Sequence, residues 1–271
     1  MHLIPFSEVS AENGVTFLVC PALSEIKNLR HCFSTRIGGV SKPPRDSLNL
    51  GHAEQDEAGN VAENYRRILK AAFSKDAPIA FTKQIHKDFV RLADTSDCLP
   101  VEQAFTAQEC DGLITDTKNI VLSGYFADCV PILLYDTAKH ACGVVHAGWR
   151  GTAMAIAQKG VAAMQANFGT NLADIIAAIG PSIGPCCFLC HDDVTTAMEV
   201  FGPLVKPFIK KADDGRFSVD LKQINGTLLA NCGVSEIYVC ESCTCCDKRR
   251  FFSHRRQGPS RGAMTAMIEL L

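Results

Sequence analysis

Apolar and polar positions follow two rhythms along this chain. Over about residues 58–73, Val61, Tyr65, Ile68, Leu69 and Ala72 recur at the spacing of one helical face, which predicts a helix. A second helix is predicted over about 152–168, with Val161, Met164 and Phe168 on one side, and others over about 191–201 and 219–231. Between them lie short apolar runs that read as strands: Ile120–Gly124, Val130–Tyr135, Ala141–Val145, Ile175–Ile179 and Glu236–Cys240. Arg30–Ser34, Ile79–Thr82, Phe89–Leu92 and Gly112–Thr115 are further candidates. Several are apolar on both faces, as in strands covered on both sides. Helices and strands interleave without a regular βαβ alternation. The prediction is therefore an α/β fold: a single layered domain over residues 1–271, with a mixed central β-sheet and helices packed on it. Gly38–Pro44, Gly180–Pro185 and Gly258–Gly262 read as loops, and no repeat or flexible linker divides the chain.

Composition narrows the class. A chain of 271 residues with 47% hydrophobic content suits an ordinary globular protein. Its 27 basic and 29 acidic side chains give a net charge of −2, without the basic excess typical of nucleic-acid or membrane-surface proteins. Glu8, Glu12 and Asn13 interrupt the region where an export signal needs its apolar core, and no apolar run approaches a membrane span. A cytoplasmic enzyme is expected, with most of its 14 cysteines reduced. Cys32, Cys142, Cys232 and Cys240 sit in apolar segments and read as small buried hydrophobes.

The chemistry concentrates in residues 127–152. Asp128 and Cys129 stand at the start of one predicted strand, and His146 ends the next. If the two strands are antiparallel neighbours, Cys129 and His146 meet at one sheet edge, and both are favoured zinc ligands. His146 opens the run His146-Ala147-Gly148-Trp149-Arg150-Gly151-Thr152, where a strand turns through glycine into a helix. Backbone N–H groups at such a turn suit an anion, Gly148 and Gly151 permit close approach, and Arg150 adds charge. A tight structural connection explains the same letters equally well. Arg36, beside Gly38-Gly39 and Ser41, also suits an anion-binding loop, as it does a plain glycine turn with a solvated arginine. His86 follows an apolar run, and nothing in the composition separates it from the other seven of the eight histidines.

The stretches Thr35–Ser41, Asn49-Leu50-Gly51, Asn64-Tyr65-Arg66, Gln84-Ile85-His86, Asp111-Gly112-Leu113, Ala127–Pro131, His146–Thr152, Ile179–Cys187 and Phe252–Arg256, with Gly262 nearby, carry a resemblance across nearly the whole chain. In them the sequence resembles the laccase-domain family, also called multicopper polyphenol oxidoreductases and regarded as multifunctional purine nucleoside phosphorylases. The resemblance implies a metal held by His86, Cys129 and His146, with zinc expected and copper the alternative. It implies phosphorolysis of adenosine, inosine, guanosine and methylthioadenosine, together with adenosine deamination. The partners expected are purine nucleosides and phosphate, with no nucleic acid or membrane.

Three protein ligands leave a zinc ion one open position for water, so deamination needs a carboxylate to relay protons. Asp128, which adjoins Cys129, is the first candidate and Asp111 the second. Arg36, Arg150 and the Gly148–Thr152 backbone are the candidate phosphate contacts. The chain departs from the family pattern where Phe188-Leu189-Cys190-His191 replaces a tyrosine and an acidic residue, and where Ser253-His254-Arg255-Arg256 replaces Ser-Tyr-Arg-Arg.

Other readings use the same residues. Cys129 and His146 would serve a cysteine hydrolase as nucleophile and base, with Gly148 near an oxyanion site. A peptidoglycan-precursor editing enzyme would use the same pocket. A copper-dependent phenol oxidase needs many histidine ligands, whereas this chain has eight histidines and no His-x-His. The pairs Cys187/Cys190 and Cys243/Cys246 have the form of a structural zinc site, at a longer separation than in zinc ribbons. The basic run of Lys248-Arg249-Arg250 and Arg255-Arg256 suits RNA, a solvated face or phosphate; the acidic chain favours the last two.

Overall fold

The computed structural model describes residues 1–51, 56–74 and 76–271. Its strands, numbered along the chain, form three sheets. The largest has the order β1 (His2–Ile4), β15 (Glu236–Cys240), β11 (Ile175–Ile179), β9 (Val130–Asp136), β10 (Ala141–Ala147), β7 (Gly112–Thr115) and β6 (Val90–Leu92). The second has the order β2 (Ser7–Ser10), β3 (Thr16–Val19), β4 (Leu29–Ser34), β16 (Met264–Leu270), β8 (Val121–Phe126) and β5 (Ile79–Phe81). A small sheet joins β12 (Leu189–Cys190), β14 (Phe217–Val219) and β13 (Ile209–Lys211). The helices are α1 (Pro21–Ser24), α2 (Ala58–Ala72), α3 (Trp149–Ala153), α4 (Ile156–Phe168), α5 (Asp192–Met198), α6 (Leu221–Cys232) and α7 (His254–Gln257). No helix among the described residues is long and apolar enough to cross a membrane.

The α/β class stands, but one mixed central sheet with helices on it becomes two large mixed sheets packed face to face. Phe33 and Leu122 from the second sheet and Leu133 and Val144 from the first share one buried cluster between them. The outer face of the first sheet is covered by α4 and α6, through Val161, Met164, Ile224 and Leu228. The outer face of the second is covered by α2, through Val61, Tyr65 and Ile68. Strands apolar on both faces were legible, but periodicity cannot distinguish a helix from a second sheet as the cover.

The sheets approach closely at Gly180, just after β11. A Cβ on Gly180 would lie 2.2 Å from the Phe33 ring. Gly180→Ala is therefore expected to destabilise the protein by about 1–3 kcal/mol through overpacking. Denaturant unfolding checks this; an unchanged midpoint would show that the ring has room to move.

The predicted helix over 152–168 is two helices, because Ala155 takes a left-handed backbone (φ 61°) between α3 and α4. The predicted helix over 191–201 is α5 followed by a 3₁₀ stretch. Helix α6 starts where the Asp220 side chain accepts the Gln223 N–H and ends at the left-handed Gly233. Strand β16 escapes the sequence pattern although every one of its residues is buried. Its Met, Ala and Glu residues are helix formers, and its position between β4 and β8 overrides that preference.

What places the functional residues is the β9–β10 hairpin. Its strands are antiparallel, pairing Pro131 with His146 and Val130 with Ala147. At the closed end, an Asp136 carboxylate oxygen accepts the N–H groups of Ala138 and Lys139. The open end carries Cys129 and His146 side by side.

Candidate active site

At that sheet edge the ligand atoms of His86, Cys129 and His146 lie within 4.8 Å of one another. The two imidazole rings meet nearly edge to face, at 88° and 4.9 Å between centroids. His146 is buried, Cys129 half-buried and His86 exposed. Gly148 lies against all three: a Cβ there would stand 3.1 Å from Cys129 Sγ and 3.5 Å from the His86 ring. A side chain at position 148 would thus crowd the ligand atoms.

Asp111 organises the group. Its carboxylate is fully buried at the start of β7 and accepts four hydrogen bonds. Three come from the backbone N–H groups of Ile85 (3.2 Å), His86 (3.0 Å) and Lys87 (2.9 Å). The fourth links Asp111 Oδ1 to His146 Nδ1 at 2.9 Å. His86 adopts a left-handed backbone (φ 57°), which is costly for a residue with a side chain and persists where surrounding bonds over-determine it. The Asp111 bond to Nδ1 fixes the imidazole of His146 and leaves Nε2 for the cluster.

The charges follow. Burial would raise the Cys129 pKa, but the charge and hydrogen bond of His146, and then those of His86, overcome it and bring the thiol down to about 6. Burial would lower His146, but the Cys129 charge and the bond to Asp111 lift it to about 9. The sulfur thus carries its negative charge at neutral pH, the form required of a metal ligand and of a nucleophile alike.

Two clefts share this group. One, of about 350 Å³, is cationic, with Arg45, Lys83, Gln84 and Asn49 in its wall beside Tyr125 and Phe126. The other, of about 300 Å³, is aromatic and apolar, with Trp149, Ile183, Phe188 and His254 in its wall. His86, Ala127, Cys129 and Arg261 border both.

Not every residue singled out from the sequence reaches these clefts. Arg36 is folded away from them. Its guanidinium pairs with the Asp46 carboxylate at 2.9 Å, donates to the Asp46 carbonyl at 2.6 Å, and lies 4.5 Å from the centre of the Phe252 ring. Arg150 is exposed and stacks over Trp149 at 4.1 Å, outside both cleft walls. Gly151 accommodates protein rather than ligand, since a Cβ there would meet the Lys87 carbonyl at 3.0 Å. The start of α3 is a single short turn packed on the His86 segment.

Asp128 borders the aromatic cleft, but its carboxylate is already engaged. Oδ1 accepts from Thr244 Oγ1 at 2.6 Å, and Oδ2 accepts from Ser253 Oγ at 2.9 Å and Arg255 N–H at 2.6 Å. A left-handed backbone at Asp128 (φ 94°) lets the chain turn here. Asp128 therefore ties the C-terminal segment to the site instead of standing open for proton transfer. In the basic run, Arg250 pairs with Asp247 and Glu8, and Arg256 donates to backbone carbonyls. Arg255 borders the aromatic cleft while holding the Cys187 and Leu189 carbonyls.

Sequence reasoning missed Arg261. Its guanidinium is partly buried beside Cys129 and donates from Nη1 to the Gly262 carbonyl at 3.2 Å, while its Nε has no partner among the described residues. No carboxylate lies within ion-pair distance of it among the described residues. The charges of Cys129 and Asp128 act on it, and its unpartnered Nε donor suits a further anionic ligand. The sequence carries a signal for it, since Arg261 adjoins Gly262 much as Arg36 neighbours Gly38, but the glycines of this loop are explained as well by a plain turn.

A family model described as multi-copper polyphenol oxidoreductase laccase matches residues 30–271. The chain is 37% identical over 241 residues to purine nucleoside phosphorylase YlmD of Geobacillus stearothermophilus, covering 87% of this chain and 88% of that one. It is 33% identical over 256 residues to purine nucleoside phosphorylase YfiH of Escherichia coli, covering 94% and 99%. The crystal structure of YlmD from Geobacillus stearothermophilus superposes with a TM-score of 0.88 at 33% identity, over 98% of this chain and 99% of that one.

Proposed function

The chain belongs to the laccase-like multi-copper polyphenol oxidoreductase family, and from that premise we propose a zinc-dependent purine nucleoside phosphorylase that also deaminates adenosine. The observation that carries the proposal is the placing of the His86–Cys129–His146 group and Arg261 between an aromatic cleft and a cationic one. A nucleoside reacting with phosphate has the same division. The flat base suits the Trp149 and Phe188 side by stacking. The ribose hydroxyls and the phosphate suit the side of Arg45, Lys83 and Gln84.

The family implies a metal, and the donor set fits one. Two imidazoles and a thiolate suit zinc and do not suit magnesium or calcium, which prefer oxygen. His86, Cys129 and His146 would hold the ion, and when bound it supplies Lewis acidity to a substrate oxygen or water. Oxidation of phenols by several copper ions needs a larger histidine array. Among the described residues the other metal-competent group is entirely cysteine.

The chain's own side chains supply the rest. Arg261 holds phosphate next to the anomeric carbon, where its negative charge stabilises the cationic ribosyl transition state. Trp149, Ile183 and Phe188 exclude water around the base. Asp111 and Asp128 hold the site's loops, which leaves His254 in the aromatic wall as the group to exchange a proton with the departing base. The family's tyrosine at that position is also a proton donor.

A second reading has one observation in its favour: Cys129, His146 and Asp111 form a chain of interactions like that of a cysteine hydrolase. His86 facing the same sulfur favours the metal. A Cys129→Asp variant keeps an anionic ligand and loses the thiol, so retained metal with a trace of deaminase activity supports zinc. A substrate adduct trapped on Cys129 establishes the hydrolase.

Purified protein incubated with adenosine, with and without phosphate, tests the proposal. Adenine with ribose-1-phosphate is expected only with phosphate, and inosine in both. Base release indifferent to phosphate would sink the phosphorylase reading. His146→Ala is expected to lose the ion at this site and reduce both activities by more than the about 10–100-fold typical of losing a supporting hydrogen bond. Elemental analysis beside the assays checks it; full activity after loss of that ion overturns the role given to the metal.

A further inference from the structure

A second group of sulfurs stands behind the aromatic cleft. The loop after β11 carries Cys186 and Cys187, and the loop after β15 carries Cys243 and Cys246. The fold lays these loops side by side. Ser182 and Cys243 form an isolated parallel bridge, and the Thr244 N–H donates to the Ser182 carbonyl at 3.0 Å. The four sulfurs lie within 4.8 Å of one another, with Cys246 Sγ 3.5 Å from Cys186 Sγ and 3.4 Å from Cys187 Sγ. A tetrahedral ion with bonds of about 2.3 Å to sulfur spaces its ligands by about 3.8 Å. A disulfide needs about 2.05 Å. The observed separations exclude a disulfide and lie around the spacing of sulfurs that share one ion.

The surroundings fit that use. The Gly184 N–H donates to Cys243 Sγ at 3.2 Å, which stabilises a thiolate. A Cβ on Gly184 would stand 3.3 Å from Cys186 Sγ and 3.6 Å from Cys243 Sγ, so glycine leaves the sulfurs room. Four thiolates around a divalent ion leave a double negative charge. Cations bound to the same loops offset it. The buried Lys222 ammonium donates to the Cys240 and Ser242 carbonyls at 2.7 and 3.0 Å. Arg255 donates to the Cys187 carbonyl at 2.8 Å and Arg256 to the Cys245 carbonyl at 2.7 Å. The pairing of Cys187 with Cys190 suggested by the sequence does not form, because Cys190 is buried on β12 with its sulfur on the Phe217 carbonyl. Cys186 takes its place.

We propose that Cys186, Cys187, Cys243 and Cys246 form a second metal site, closed by four thiolates and taking a thiophilic divalent ion such as zinc. Its role is structural. The loops it joins carry Ile183 and Phe188 of the aromatic wall and Thr244, one of the three donors that hold Asp128 beside Cys129. The site does not depend on which reaction the clefts perform, and its test uses no nucleoside.

The test is metal content of the full chain prepared with reductant and zinc. Wild type is expected to hold two ions per chain, one for each ligand group, and Cys190→Ser to keep both. Cys246→Ser and His146→Ala are each expected to lose one, and the double variant both. One ion in wild type, lost with His146→Ala and kept with Cys246→Ser, overturns the proposal. X-ray absorption of zinc-loaded wild type covers the case in which Cys246→Ser does not fold. A sulfur-dominated shell is expected, and a shell with one sulfur per zinc overturns the site. A disulfide among the four cysteines in protein kept under reductant also overturns it.

Discussion

Replacing Asp111 by asparagine is expected to weaken metal binding at His86, Cys129 and His146 by about 10–100-fold, although Asp111 is not one of the proposed ligands. The carboxylate accepts three backbone N–H groups and the His146 ring nitrogen, with no access to water. An amide offers one acceptor oxygen, and its NH₂ turns a donor toward donors. Either the His86 turn or the His146 ring then loses its anchor, and a buried donor is left unpaired at about 1–3 kcal/mol. Burial alone would raise the Asp111 pKa; the hydrogen bond and charge of His146 and the N–H groups of Lys87 and Ile85 outweigh it, so the folded pKa lies below the unfolded one. The resulting stability is present above the unfolded carboxylate range and is lost as pH falls through the depressed folded value. Asp111→Asn should flatten that acid limb. Competition with a chelator measures the affinity, and denaturant unfolding across pH measures the limb. Unchanged zinc affinity would refute the role assigned to Asp111.

Arg261→Met is expected to lower phosphorolysis by about 100-fold while sparing deamination, which consumes no phosphate. Methionine keeps much of the stem's volume and removes the charge between the two clefts. The contrast with Arg36 makes the experiment decisive. Arg36 is bound to Asp46 and lies over Phe252, so Arg36→Ala should cost about 1.5–3 kcal/mol of stability and leave the phosphate KM where it was. Steady-state kinetics in phosphate, beside thermal unfolding, separate the two. If Arg36→Ala raises the phosphate requirement and Arg261→Met does not, the phosphate site lies with Arg36 after all.

The sequence exposed the strands that build the site better than the charges that serve it. The runs Val130–Tyr135 and Ala141–Val145 are apolar throughout, and their pairing brings Cys129 and His146 together as antiparallel neighbours must. His86 could be selected only through the family resemblance, because the turn that delivers it is held by Asp111 from a distant strand. The use of an arginine is what the sequence shows least. Arg36 lies two residues from a glycine, and Arg150 and Arg261 adjoin one, and only the fold decides which guanidinium is spent on a local carboxylate or ring. The same holds for cysteine: spacing paired Cys187 with Cys190, but strand β12 turns Cys190 inward. Strand β16 was hidden by its residue types, which favour helix where neighbouring strands are absent.

The hairpin of β9 and β10 is also a ruler. Cys129 and His146 are spaced by counting residues up one strand, around the Asp136 turn and down the other. One residue inserted within either strand would slide its ligand by about 3.3 Å and turn the following side chains to the opposite face. One residue inserted in the turn between Thr137 and His140 would bulge outward, leaving every strand pair in place. The tolerance for insertion is therefore concentrated at the end of the hairpin farthest from the chemistry, and change in the strands between is forbidden by arithmetic before any ligand is touched.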